Sequence, residues 1–165
     1  MKYIIPENWH YSNFGLHLIT PKIHFGATQL NFKMTLDSGC WWKHPRNNDD
    51  YDINKIYGIS YGYHHTNSLR LGWVPDFNST NTIKIYGYWY QDKKRTTKFL
   101  CDVLTNVEYN VEFKIYEDNT DIYINNRQSV VDFHLPDQCK WGYYLFPYFG
   151  GNNKAPNNMI ITILR

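Results

Sequence analysis

The 165-residue chain predicts an all-β fold, a two-sheet antiparallel jelly-roll sandwich. Three observations carry that expectation. Residues 56–90, IYGISYGYHHTNSLRLGWVPDFNSTNTIKIYGYWY, alternate large side chains with glycines at a period of two, which is the pattern of strands. No ten-residue window repeats its apolar residues at the helical period of 3.6. About ten or eleven short strands can be drawn between turn residues, and a single open sheet of that size would leave one apolar face wet.

Residues 14–19 and Gln29–Leu36 read as the early strands. In the second, Leu30, Phe32, Met34 and Leu36 take one face, while Asn31, Lys33 and Thr35 take the other. Polar residues 47–52 then make the longest loop. Inside residues 56–90, HHTN at 64–67 reads as a hairpin turn. It sets Gly62 opposite Leu69, Ser60 opposite Leu71 and Gly58 opposite Trp73. On the other face Ile59 meets Gly72 and Tyr61 stacks on Arg70. Residues 82–90 follow as a strand with Ile83, Ile85, Gly87 and Trp89 on one side and Lys84, Tyr86, Tyr88 and Tyr90 on the other. A loop over residues 91–96 leads into a strand at 97–104. In residues 109–116, Val111, Phe113 and Ile115 alternate with Asn110, Glu112 and Lys114. EDNT at 117–120 is a turn by composition, and DIYIN at 121–125 is its partner strand. Residues 129–133, 143–148 and 158–164 complete the set. Phe32, Met34, Leu71, Trp73, Ile85, Trp89, Phe113, Ile115, Ile122, Ile124, Ile161 and Ile163 are expected to fill the space between the sheets.

No composition shift, repeat or linker divides the chain, so residues 1–165 read as a single β-sandwich domain able to bury a two-layer core. A formal charge of +2 and a pI near 8.3 are too weak to point to nucleic acid, and Lys93, Lys94 and Arg95 read as a charged hairpin tip. The opening MKYIIPENWHYSN lacks the apolar run of a signal peptide and no segment reaches membrane-spanning length. The expectation is synthesis in the cytosol with no membrane insertion. Cys40, Cys101 and Cys139 are odd in number and form no CxxC, which reads as buried thiols rather than a disulfide framework or a zinc site. Eighteen asparagines, with many Ile, Lys and Tyr, are the usage of an AT-rich genome, as in many bacteria and phages.

The segment YNVEFKIYEDNTDIYINN, followed by GYYLFPYFGGNNKAP and the terminal NMIITIL, resembles the concanavalin A-like (laminin G-like) lectin and glucanase sandwich. The likeness runs from about Leu30 to the end of the chain and implies the jelly-roll fold. GISYGYHHTNSLRLGW with FPYFGGNNKAP also resembles small uncharacterised β-sandwich proteins of Bacteroidetes and of their tailed phages.

Catalytic patterns of such sandwiches are incomplete here. Laminarinase-type glucanases place acid and nucleophile on one strand as Glu-x-Asp-x-Glu, which this chain lacks. Glu108, Glu112, Glu117, Asp118 and Asp121 read as solvated carboxylates. Alginate-lyase-type jelly rolls need an Arg-rich strand, a Gln-x-His pair and a tyrosine on the concave face. Arg70, His64, His65 and the tyrosines supply those ingredients without the motifs. Asp50, Asp52 and Asn54 in NDDYDIN are hard oxygen donors at alternate positions. Lys55 nevertheless stands where a calcium loop needs glycine and Tyr61 where it needs a closing carboxylate, so a solvated loop is expected. His17 and His24 have no second ligand at a useful spacing, and Asn78-Ser79-Thr80 would be a silent glycosylation sequon in a bacterial or phage protein. The expectation is no enzyme, no metal and no cofactor.

The aromatics point to surface contact instead. Six tryptophans and fifteen tyrosines exceed what a core of this size hides. Trp73 and Trp89 are assigned to the core. Trp41, Trp42 and His44 at a strand-to-loop transition, with Tyr86, Tyr88 and Tyr90 on one strand face, are the candidate binding surface, because Tyr and Trp pair a rigid apolar face with a polar tip. A subunit interface would use the same residues. The expected function is a non-enzymatic structural or attachment module, a bacteriophage virion component of capsid or tail made in the host cytoplasm. Its partners would be other virion proteins or a second copy. The alternative is a soluble carbohydrate-binding module of the bacterial cytoplasm or surface that takes a cell-surface glycan; a polysaccharide lyase comes third.

Overall fold

A computed structural model gives the fold and describes residues 1–15, 22–137 and 141–165. In chain order the strands are β1 (Lys2–Ile5), β2 (Ile23–His24), β3 (Gln29–Leu36), β4 (Asn54–Ser60), β5 (Ser68–Pro75), β6 (Thr82–Gln91), β7 (Lys94–Leu104), β8 (Glu108–Ile115), β9 (Thr120–Ile124), β10 (Arg127–Val131), β11 (Gly142–Leu145) and β12 (Met159–Leu164). They form two six-stranded antiparallel sheets, ordered β1-β12-β3-β8-β9-β10 and β2-β11-β4-β5-β6-β7. The chain is therefore the expected all-β jelly-roll sandwich. Among the described residues, helix is confined to short 3-10 turns at Ser12–Gly15, Ser38–Cys40 and Asn48–Tyr51. None is long and apolar enough to cross a membrane.

Period-two alternation decides which side chains enter the core. Leu30, Phe32, Met34 and Leu36 of β3 pack with Val111, Phe113 and Ile115 of β8, against Leu69, Leu71 and Trp73 of β5 and Ile83, Ile85 and Trp89 of β6. All twelve residues expected in the core are buried, Trp89 at 4% exposure and Trp73 at 0%. The Phe32 ring meets Tyr57 edge-on at 5.1 Å and Phe113 at 6.0 Å, so aromatics from both sheets interlock across the layer.

Several boundaries move. The expected strand at 14–19 begins in the 3-10 turn Ser12–Gly15, and its remainder, with His17, lies outside the described residues. β1 carries no signal in the sequence beyond its short YII run; pairing to β12 makes it a strand. The expected loop at 91–96 is a tight hairpin. Asp92 and Lys93 both adopt positive φ (50° and 68°), the geometry of a two-residue type I′ turn, and Asn125-Asn126 (46° and 68°) does the same between β9 and β10. That turn starts β10 at Arg127 instead of residue 129.

The hairpin of β4 and β5 does not have the predicted register. Gly58 pairs with Arg70, Ile59 with Leu69 and Ser60 with Ser68. The turn is longer than HHTN: Gly62 leaves the strand at φ 67°, and Tyr61 N–H donates to Asn67 O at 2.9 Å, so residues 62–66 loop out. A shift of three residues exchanges the two faces. Gly58 faces outward beside Arg70, and Tyr61 turns into the core, its hydroxyl donating to Ala27 O, so the Tyr61–Arg70 stack does not form. A bulge between Lys55 and Gly58 then directs Ile56 and Tyr57 together into the core.

The polar loop before β4 is not solvated at its centre. Asp50 is buried at 1% exposure, paired with Arg46 at 2.7 Å, and it accepts from Arg46 N–H at 2.7 Å and from Asn153 Nδ2 at 2.8 Å. Asn54 is buried and its Oδ1 accepts from Gly150 N–H at 2.8 Å. These residues join the loop to the C-terminal segment. Cys40 and Cys101 are buried free thiols, and Cys139 lies outside the described residues.

Candidate functional site

The outer face of the second sheet is assembled from rows of paired residues. Gly58, Arg70, Tyr88 and Thr97 make one row across β4–β7, and Ser60, Ser68, Tyr90 and Arg95 make the next. Lys55, Gly72, Tyr86 and Phe99 make a third. The middle strands thus present mostly small residues, and Tyr86, Tyr88 and Tyr90 stand along one side. Gly58 is required by its neighbour, because a Cβ there would lie 2.4 Å from Arg70 Cβ and 2.2 Å from Leu69 O. Arg70 occupies the space that glycine leaves.

Arg70 is half-buried, with the phenols of Tyr88, Tyr143 and Tyr90 as the neighbouring groups that favour its charge. Burial lowers its pKa to about 10, which leaves the guanidinium charged at neutral pH. Lys55, also half-buried, holds Nζ 4.9 Å from the centre of the Tyr88 ring and 6.0 Å from that of Tyr148. Burial first, then the charge of Arg70, pulls its pKa down to about 8. Among the described residues the ion pairs are Lys33–Glu108, Arg46–Asp50, Lys84–Asp76, Lys84–Asp102 and Lys114–Glu112. None involves Arg70 or Lys55.

His64 and Tyr143 border Arg70. His64 Nδ1 lies 2.7 Å from the Tyr143 hydroxyl, and its backbone N–H donates to that hydroxyl at 3.3 Å. Burial, followed by His65 and Arg70, lowers the His64 pKa to about 4, so the ring is neutral at pH 7. His65 packs on His64 at 4.2 Å and edge-on to Tyr90 at 5.2 Å. The two imidazoles gain no third His, Cys, Asp or Glu among the described residues. A depression of about 470 Å³ lined by Tyr63, Thr66, Asn67, Gln91 and His134 shares the 62–66 loop with this face.

The expected surface residues divide into two places. Tyr86, Tyr88 and Tyr90 stand together as expected; Tyr88 is buried at 8% exposure, Tyr86 meets Phe99 edge-on at 5.7 Å and Tyr90 meets Tyr88 at 5.9 Å. Trp41, Trp42 and His44 lie elsewhere, by the turn that follows the far end of β5. Trp41 Nε1 donates to Asp76 O at 3.1 Å, and Trp42 packs between Phe77 (5.8 Å) and Phe149 (5.9 Å) against the core. Only His44 of this group is fully exposed. Lys55, Tyr143 and Tyr148 were not among the expected surface residues. The alternation in SLRLGW would have placed Arg70 outward, but Lys55 sits in a bulge and Tyr148 beyond the last regular pairing of β11, where no sequence period reaches.

The fold is that of a concanavalin A-like jelly-roll sandwich, the fold of PL7 alginate lyases. The marine PL7 alginate lyase AlyA1 from Zobellia galactanivorans superposes with a TM-score of 0.57 at 10% identity, over 87% of this chain and 62% of that one. An alginate lyase from Pseudomonas aeruginosa gives 0.55 at 9% identity, over 82% and 60%, and alginate lyase AlyC3 gives 0.56 at 7%, over 82% and 62%. This chain therefore spans about three-fifths of the length of those structures. No family model matches it, and no curated protein matches it in sequence.

Proposed function

We propose that this chain is a carbohydrate-binding module that holds an acidic polysaccharide, a polyuronate of the alginate kind, on the outer face of its second sheet. The observation that carries the reading is a pair of half-buried cations, Arg70 and Lys55, set among tyrosines with no carboxylate paired to either among the described residues. A desolvated cation without a partner is costly, and an anion from outside would offset that cost. A guanidinium fork donates two parallel hydrogen bonds to a carboxylate, while phenol rings offer apolar faces to sugar rings. The three sandwiches reported above that share the fold are alginate lyases, which supports the same ligand class.

Isothermal titration with a mannuronate tetramer and with neutral cellotetraose at one ionic strength tests the reading. Binding of the acidic tetramer alone supports it; equal binding of both, or of neither, overturns it. A second reading has its own observation: a neutral His64 hydrogen-bonded to Tyr143 beside Arg70 is a base, an acid and a charge neutraliser suited to β-elimination from a bound uronate. Under the binding reading no unsaturated uronate forms, and ultraviolet absorbance that vanishes in a His64→Ala variant would favour the lyase instead. The virion reading keeps exposed aromatics such as Trp9, Trp141 and Tyr63, but Trp42 of its expected surface packs against the core.

A further inference from the structure

Lys55 differs from Arg70 in what encloses it. It sits at the bulge of β4 opposite Gly72, and its ammonium lies over Tyr88 from β6 on one side and Tyr148 from the segment after β11 on the other. That segment also closes over the nitrogen, since a Cβ on Gly150 would come within 2.6 Å of Nζ. The charged groups that face it are Arg70 of β5, Arg95 of β7 and Asp52 just before β4. The titratable neighbours are Tyr88 and Tyr148, with Tyr11 and His10 of the N-terminal segment packed on the Tyr148 ring. Two of these groups are cations, and the single carboxylate forms no ion pair with Lys55. The site is built to hold an ammonium weakly unless an anion joins it.

We infer that Lys55 is a pH gate for this face: its ammonium, clamped between Tyr88 and Tyr148, grips a carboxylate of an acidic chain and releases it when the proton leaves. The inference rests on the proposed acidic-polysaccharide reading of the face. With its pKa near 8, Lys55 changes charge just above neutrality, while Arg70 (about 10) keeps its charge and His64 (about 4) is already neutral. The sign follows from linkage. A lowered pKa means the free protein gives up this proton readily, a bound carboxylate raises the proton affinity, and protonation raises ligand affinity by the same factor. Binding is therefore strongest below pH 8 and weakens as pH rises through it.

The test titrates the full chain with a mannuronate tetramer from about pH 7 to about pH 9.5 at constant ionic strength. Wild type, Lys55→Arg and Lys55→Met are compared. Wild-type affinity should fall roughly tenfold, the order of one lost charge contact, with its midpoint near 8. Lys55→Arg, whose guanidinium stays largely charged, should change by less than about twofold over that range, and Lys55→Met should bind at pH 7 as weakly as wild type does at the top of it. A flat wild-type profile with binding intact overturns the gate and leaves the binding face standing, as does a Lys55→Arg profile that falls like wild type. No binding at any pH removes both. Nitrogen NMR of Lys55 in the unmutated chain reads the ionisation directly: its midpoint should move upward when the tetramer is added, and a midpoint that stays put overturns the gate.

Discussion

The outer faces of the two sheets obey the same strand alternation and differ in how their central charges are matched. On the first sheet, Lys33 and Glu108 pair at 2.8 Å, Lys114 and Glu112 at 3.5 Å, and Gln29 donates to Glu112 at 2.7 Å. Both members of the Lys33–Glu108 pair are about half exposed, 51% and 47%. On the second sheet, Lys84 pairs with Asp76 and Asp102, but Arg70 and Lys55 are half-buried, ringed by Tyr88, Tyr90, Tyr143 and Tyr148, and form no ion pair among the described residues, Asp52 being the carboxylate that faces Lys55. A face whose charges neutralise one another keeps the molecule dissolved. Under the proposed reading, a face whose cations are partly desolvated and in no ion pair takes its countercharge from the ligand.

The largest expected effect tests that contrast directly. Arg70→Ala removes the bidentate donor from the second face and should weaken binding of a mannuronate tetramer about 100-fold, the ~2.7 kcal/mol expected for a lost half-buried charge contact. Lys33→Ala, an equal change of charge on the first face, should alter it less than about twofold. Comparable losses from the two variants in parallel calorimetric titrations would mean that net charge drives binding and that the faces do not differ in kind.

Most of the sandwich was legible in the sequence because each strand carries its own record of burial: β3 has its predicted bounds, and β6 and β8 lie within a residue of theirs. The register of β4 on β5 was not, since it depends on where Gly62 turns the chain, a property of the loop. Half of the site was legible for the same reason. Tyr86, Tyr88 and Tyr90 are neighbours on one strand, whereas Lys55, Arg70 and Tyr143 meet only after β4, β5 and β11 are laid side by side. Trp41 and Trp42 show the converse. Their composition matched a binding surface, but their neighbours come from distant turns: Trp41 donates to Asp76 O, and Trp42 packs against Phe77 and Phe149.

That difference between the two aromatic groups yields the next effect in size. Trp42→Ala would leave a gap between Phe77 and Phe149 and should cost about 2 kcal/mol of stability in urea unfolding, below the range for fully buried tryptophan because Trp42 is only partly buried. Affinity of the folded variant for the acidic tetramer should be unchanged. A variant as stable as wild type that has lost binding would return Trp42 to the ligand surface and weaken the assignment of the second-sheet face.

The smallest effect bears on the first sheet alone. Lys33 and Glu108 lie on adjacent strands, and the ion pair they make is open to water, so its Coulomb gain is screened and partly offset by the entropy of ordering two long side chains. A double-mutant cycle with Lys33→Ala and Glu108→Ala, read from urea midpoints, should give a coupling of about 0.5 kcal/mol or less, and added salt should reduce it further. A coupling well above 1 kcal/mol that survives salt would show the first face to be held by its charges as firmly as Asp50 is held by Arg46. The unmatched cations of the second face would then stand out against a structural network rather than a solvated surface. The contrast would still hold for Arg70 and Lys55, but Lys33→Ala could no longer serve as a neutral control for binding, and an exposed first-sheet lysine in none of those ion pairs, such as Lys2, would have to replace it.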